Sequence, residues 1–165
     1  MHLTLLDLFS ARWTEMIHAE WIRNLLAQRP DLRPEQLTRT KNLMNLHAGE
    51  ALVEGYESLI DKLVLPDPDD RHVLAAAIHA KADLIVTFNL RDFPASALQP
   101  YAVAAIHPDD FLLTLVNVDS ERVQLAAERQ RKSLRNPPKT PDEYWQIMRA
   151  NGLPQTVKRL RDVED

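Results

Sequence analysis

The sequence predicts an α/β fold: a parallel sheet sandwiched by helices over residues 1–117, followed by a small all-helical extension over 118–165. Three observations predict it. "DLIVTF" (83–88) is an apolar run too short for a helix, lying between a helix end and a turn, which suits a buried parallel strand. An amphipathic stretch precedes it, and a second short run, "AVAAI" (102–106), and a helix start follow, so helices and strands alternate. From Asp119 onward the composition shifts to polar helical segments with few large apolar residues.

Each element has its own signature. Thr14 to Ala27 reads as a helix, because Ile17, Trp21 and Leu25 recur at helical spacing and Thr14 suits the N-cap. Pro34, well suited to a first helical position, opens a second helix carrying Leu37, Leu43 and Met44. Between Ala51 and Leu65 we read a short strand near Leu52–Val53, a helix from about Gly55 to Lys62, and then a turn at Pro66–Pro68. His72 to Lys81 forms a helix whose stripe is Val73, Leu74, Ala77 and Ile78, and Ala75, Ala76, Ala77 and Ala80 leave room for close approach to a sheet. In "HPDDFLL", Pro108 and two aspartates suit a helix start. "SERVQLAAERQRKSLRN" is a polar helix that "NPPKTP" breaks. Thr140-Pro141-Asp142-Glu143 is a capping box with Pro at the first helical position; Tyr144, Ile147 and Met148 form the stripe behind it, and Gly152 closes the helix. A last helix from Pro154 carries Val157 and Leu160. Helices this short bury little apolar surface alone, so they are expected to pack on the main body or on a partner.

Composition narrows the chemistry. The 165 residues suffice for one ordinary domain with an appendage. With no cysteine, disulfides and thiolate metal sites are excluded, which fits a reducing compartment. No apolar run approaches the ~20 residues that span a bilayer, and MHLTLLDLF lacks the charged n-region and small-residue cleavage site of a signal peptide. A soluble cytoplasmic protein with no membrane association is expected. Only three glycines occur, and no P-loop, dinucleotide fingerprint or G-x-S-x-G elbow. The net charge of −4 is uneven: residues 118–165 hold ten Lys/Arg and eight Asp/Glu, a net +2, which leaves −6 on residues 1–117. An acidic body could bind cations while a basic tail meets a polyanion; solvated surface accounts for the charges equally well.

The unit from Leu65 to Phe93 opens with Asp67, Asp69 and Asp70, closes with Thr87, Asn89 and Asp92, and carries almost no charge between. In an open parallel sheet ligands bind at the carboxyl ends of the strands. Asp70 precedes one helix, and Asn89 and Asp92 follow the next strand, so both groups fall on the same sheet edge. Clustered carboxylates repel, which raises their proton affinity unless a cation neutralises them. Oxygen ligands without cysteine favour Mg²⁺ or Mn²⁺, and such an ion can activate water and steady the charge developing on a phosphodiester. The alternative makes Asp70 a helix N-cap and Asp67 and Asp69 turn residues.

"DPDDRHVLAAAIHAKADLIVTFNLRDFP" closely resembles the C-terminal half of a PIN domain of the bacterial toxin-like, VapC-type branch, where an acidic loop, an Ala-rich helix and a "VT-x-D/N-x-x-DF" strand end recur. "RWTEMIHAEWIRNLLAQRPDL" is similar to the family's earlier helix, with Glu20 at its glutamate position. "RQRKSLRNPPKTPDEYW" through "LPQTVKRL" resembles the helical C-terminal extension of one subgroup, so the likeness runs from Phe9 over nearly the whole chain. The resemblance implies a ribonuclease dependent on Mg²⁺ (or Mn²⁺) that cuts single-stranded RNA, usually a homodimer, the toxin of a pair held in check by a cognate antitoxin. Carried over by position, Glu20, Asp70 and Asp92 would be the metal-site acids. Asn89 would be a neutral ligand or water-orienting group where Asp is commoner, and Thr87 the hydroxyl just before it. Arg129, Arg131 and Lys132, with Arg135 and Lys139, are candidates for RNA contacts should RNA cross that face. On a helical wheel Glu20 lies about 60° from Ile17, at the margin of the apolar stripe.

The beginning of the chain departs from the family, which starts with a buried strand ending in an Asp and then a crossover. Here the chain begins in what matches the tail of the next helix. Asp7 precedes Glu20 by only thirteen positions, too few for a strand end and a full crossover helix, and reads as a helix-surface residue. The first strand and its Asp are thus expected to be missing, through an internal start at Met1 or a shortened copy. Two functions follow: a ribonuclease, or a truncated, non-catalytic PIN-like module that binds antitoxin or RNA. His72, His79 and His107 form no close i, i+4 pair, and His18 lies near the apolar edge of its helix; all four read as surface or packed side chains. Trp13, Trp21 and Trp145 read as core or interface residues, not base-stacking platforms.

Overall fold

The structure is a computed structural model that describes residues 8–135 and 137–164, so the reading of Asp7 lies outside the described residues. The chain divides into two compact units. One comprises Ser10–Ile85 and Leu90–Ala105; the other comprises Val86–Asn89 and the chain from Ile106 onward, together with Leu8 and Phe9.

In the first unit the Thr14 hydroxyl oxygen accepts the Ile17 N–H at 3.1 Å and caps α1 (Glu15–Gln28), as its sequence predicts. Helix α2 (Pro34–His47) starts at the expected proline, but of its apolar stripe only Leu37 is buried. A polar network joins the two helices. Trp21 Nε1–H donates to His18 Nδ1 at 2.9 Å, which makes Nδ1 the bare nitrogen and directs Nε2–H to Asn45 Oδ1 at 3.0 Å. The same oxygen accepts Trp13 Nε1–H at 2.7 Å. His18 is therefore a packed side chain, fully buried, because the helix interface offers a partner to each ring nitrogen.

The expected strand at Leu52–Val53 is reduced to one parallel bridge between Trp13 and Leu52, made by Trp13 N–H to the Ala51 carbonyl and Val53 N–H to the Trp13 carbonyl. The helix expected from Gly55 is a single turn, α3 (Glu57–Ile60). Gly55 has φ +80, outside helical space, and the bonds that follow run i to i+3, from Lys62 to Leu59 and from Leu63 to Ile60. Helix α4 (Arg71–His79) buries Leu74, Ala75, Ala76 and Ala77, and the chain leaves it through Lys81 at φ +52.

Strand β1 (Leu84–Val86) pairs with β2 (Ala104–Ile106). The pairing is parallel: Ala104 N–H donates to the Asp83 carbonyl and Thr87 N–H to the Ile106 carbonyl, both at 3.0 Å. Both strands are shorter than the apolar runs that predict them, β2 because Ala102 sits at φ +57. Nor is β1 buried on both faces. Ile85 is buried while Leu84 and Val86 are about 40 % exposed, so the run alternates in burial although its residues do not alternate in type. The core of this unit gathers Val53, Tyr56, Leu63, Leu65, the α4 stripe, Ile85, Phe93, Leu98 and Val103, with the one-turn helix α5 (Ala95–Leu98) supplying Leu98.

The second unit holds four helices that sequence signals place well: α6 (Pro108–Val118), α7 (Ser120–Ser133), α8 (Pro141–Ala150) and α9 (Pro154–Glu164). The Thr140–Glu143 capping box forms as read, with Thr140 N–H donating to Glu143 Oε2 at 2.9 Å. Leu115, Val116, Val123, Ala127, Tyr144, Trp145, Val157 and Leu160 share one core, so α6 packs with the helices after it. Phe88 meets His107 edge-on at 5.1 Å, and its Cε1 lies 3.0 Å from where a Cβ on Gly152 (φ +83) would stand. Buried Asp109, in the first turn of α6, accepts the Gln155 and Thr156 N–H groups at 2.9 Å each and the Thr156 hydroxyl at 2.7 Å, so it caps α9 from another helix. Among the described residues no helix is long and apolar enough to cross a membrane.

Candidate metal centre

The acidic loop before α4 folds into a tight helical turn, Pro68–Asp70. Asp67 caps it: its Oδ1 accepts the Asp69 N–H at 2.9 Å, and its carbonyl accepts the Asp70 N–H at 3.3 Å. Asp70 lies in helical space (φ −80, ψ −7) and makes no capping hydrogen bond, because the chain is already helical where it would have to cap. Its carboxylate is left for something other than the helix. Asp92 arrives from the far side of the α4–β1 passage, in the turn Leu90–Asp92.

Asp67, Asp70 and Asp92 converge, each placing a carboxylate oxygen within 4.8 Å of the others. Electrostatics follow from this crowding. Burial first, and then the charges of Asp67, Glu20, Asp92 and Asp69, push the Asp70 carboxyl up from its ordinary 3.8 to about 6. Every one of these neighbours is an acid. Glu20 reaches the same region from α1, near enough to repel Asp70, and its Oε2 lies 3.3 Å from Nε2 of His72, a buried ring in the first turn of α4. Two buried polar atoms, Arg71 Nε and His72 Nδ1, find no hydrogen-bond partner among the described residues, and both belong to the residues directly after Asp70.

The three expected metal-site acids thus fall in one neighbourhood, but the tight trio is Asp67, Asp70 and Asp92, with Glu20 beside it. Asp67 is among the acids that open the 65–93 unit but not among those carried over by position, and the alternative makes it a turn residue. It is one, yet capping occupies a single oxygen of a carboxylate that has two. His72 went unmarked as a partner of Glu20, since nothing local distinguishes it from any other histidine on a helix. Thr87 and Asn89 belong to the second unit, where the Thr87 hydroxyl oxygen accepts the Asn89 N–H at 3.0 Å and shapes the turn after β1. Of the basic candidates on α7, Arg131 donates to the Lys139 carbonyl at 2.9 Å, Lys132 pairs with Glu128 at 2.7 Å, and Arg129 is exposed.

The donor set fits a hard divalent cation. All the converging donors are carboxylate oxygens, Asp70 is pushed toward its protonated form by burial and then by its acidic neighbours, and an ion of double charge relieves the repulsion among them.

The chain is similar to known proteins over two stretches. Residues 5–91 match the family model described as a PIN domain, and residues 108–162 match that of the VapC50 C-terminal domain. The chain is similar to a protein of Mycobacterium tuberculosis named "Putative ribonuclease VapC50", with 46 % identity over 92 residues, 56 % of this chain and 54 % of that protein. The matched stretch therefore spans about half the length of that curated relative. No solved structure matches the chain.

Proposed function

Since the chain belongs to the PIN domain family, we propose that it is a metal-dependent ribonuclease that hydrolyses phosphodiester bonds of single-stranded RNA. The observation that carries this reading is the convergence of Asp67, Asp70 and Asp92, with Glu20 beside them and four acids among the groups that push the Asp70 carboxyl up. Glu20, Asp70 and Asp92 would hold one or two Mg²⁺ or Mn²⁺ ions, with Asp67 contributing its second oxygen. Such an ion, when bound, would lower the pKa of a water and neutralise charge growing on the phosphate. The carboxylates would hold the ion in place, and their negative field keeps a bare phosphate away from a metal-free site. Asn89 takes the role of its motif position, a neutral oxygen donor or an amide that orients water, and the Thr87 hydroxyl can donate to the substrate while accepting from Asn89 N–H.

The relative's name supports the ribonuclease, and the likeness to the VapC-type branch, with the match of residues 108–162, supports a toxin whose partner is a cognate antitoxin. We further assign it a cytoplasmic location, a homodimeric state, and a division of labour between residues 1–117 and 118–165. Purified protein should cut single-stranded RNA with Mn²⁺ or Mg²⁺ and leave it intact with a chelator. Cutting that survives chelation sinks the metal reading; a folded, Mn²⁺-bound protein that never cuts leaves only the binding module.

The tail gives a separate expected outcome. Arg129 is exposed, whereas Arg131 and Lys132 already have partners, so Arg129 should dominate any phosphate contact on α7. Replacing Arg129, Arg131 and Lys132 by Gln should weaken RNA binding and flatten its dependence on salt by up to about 0.7 per lost contact on a log–log plot. An unchanged slope from filter-binding titrations at several salt concentrations would make this helix face mere solvated surface.

A further inference from the structure

We propose that His72 is a positioning residue for Glu20, its Nε2–H holding one carboxylate oxygen so that the other stays available to a divalent cation; this rests on the metal reading above. The Nε2–Oε2 separation is 3.3 Å. Two lone pairs facing each other at that distance would repel, so Nε2 carries a proton. In the neutral ring that tautomer makes Nδ1 a bare acceptor, which agrees with its lacking any partner while buried, since an orphaned acceptor is less costly than an orphaned N–H.

Glu20 needs such a tether. Its side chain is about one third exposed and has three rotatable bonds, and Asp70 repels it, so entropy and charge both favour swinging out to water. His72 is the opposite kind of group. Its side chain is 7 % exposed and fixed in the first turn of α4, two residues after Asp70. A rigid donor beside the acid cluster restrains a mobile ligand from a different helix, an arrangement in which the outer partner commonly governs metal affinity.

The test combines calorimetric Mn²⁺ titrations with a histidine side-chain ¹H–¹⁵N spectrum of the unaltered protein. The His72 signals should show a proton on Nε2; a ring protonated on Nδ1 alone overturns the proposal without any variant. His72→Met, which removes the donor, should weaken Mn²⁺ binding about tenfold or more. His72→Gln, which can place an N–H near the same point, should stay within about threefold of the parent. In a Glu20→Gln background, His72→Met should cause little further loss, because its effect runs through Glu20. Equal affinities for parent and His72→Met, or the same loss from His72→Met in both backgrounds, overturn the inference alone. A parent protein that binds no Mn²⁺ overturns the metal reading and this inference with it.

Discussion

Asp70→Asn should abolish tight divalent-cation binding and, in a chelator, make the protein more stable than its parent. The two effects have opposite signs because Asp70 is a liability until a cation arrives. It performs no capping, so the substitution removes no hydrogen bond that the helix uses. What it removes is one charge from a crowd of four other acids, in a partly buried position that raises the carboxyl to about 6. The unfolded value is near 3.8, so between about pH 4 and pH 6 the folded state holds more protons than the unfolded one. Cation-free stability is thus unimpaired below about pH 4, falls as the pH rises through 6, and carries the full penalty above that. The shift corresponds to about 3 kcal/mol for a fully buried group, which solvent screening around this half-exposed one reduces to about 1 kcal/mol. In thermal melts with chelator, Asp70→Asn should lie above the parent at pH 7.5, and the gap should narrow toward pH 5. Adding Mn²⁺ should raise the parent's melting temperature and leave the variant's unchanged, with affinity reduced at least 100-fold. A variant that melts lower than the parent at every pH would return Asp70 to a structural role.

The second large effect concerns Asp109→Ala. Its carboxylate is buried and receives three hydrogen bonds from the start of α9, the Thr156 hydroxyl sharing its one proton between Oδ1 at 2.7 Å and the Asp109 carbonyl at 3.1 Å. Burial alone would raise this carboxyl, but the Thr156 hydroxyl, the Thr156 and Gln155 N–H groups and nearby His107 outweigh it and hold the group below its ordinary value. Truncation to Ala leaves two backbone N–H groups without their acceptor at the positive end of α9. The second unit should lose about 3 kcal/mol, read by urea unfolding with Trp145, in the same core, as the fluorescent probe. Asp109→Asn should lose less, since one amide oxygen still accepts. Because the folded value is lowered, the stabilisation exists above about pH 4 and disappears as the pH falls through the depressed value. A loss below about 1 kcal/mol for Asp109→Ala would mean that core packing, not the cap, seats α9.

These two residues show where sequence reading reaches and where it stops. Helix starts were legible at Thr14, Pro34, Pro108, Thr140 and Pro154, because a cap and the N–H it serves are neighbours in the chain. Asp109 looked like an ordinary first-turn acid of α6, and its true partners lie 46 and 47 residues further on. Long separation in sequence likewise hid the Glu20–His72 pair and the shared acceptor Asn45 between Trp13 and His18. The Asp70–Asp92 convergence was legible because strand and helix polarity alone set which sheet edge each reaches. The solvent-facing sides of β1 were not, since Leu, Ile and Val read alike and only tertiary cover decides which of them is wet.

The chain's division into units has a consequence for how such a protein can be inherited or trimmed. Val86–Asn89 belongs to the unit that holds α6 to α9, although the residues before and after it belong to the other, so the backbone passes between units more than once. A tail joined at one point could be gained or lost by recombination at a single joint. Here a stop codon at 118 would remove the helices that share a core with Leu115 and Val116, and would strip buried Asp109 of its donors at Gln155 and Thr156. A joint at that point cuts through one core, not between two.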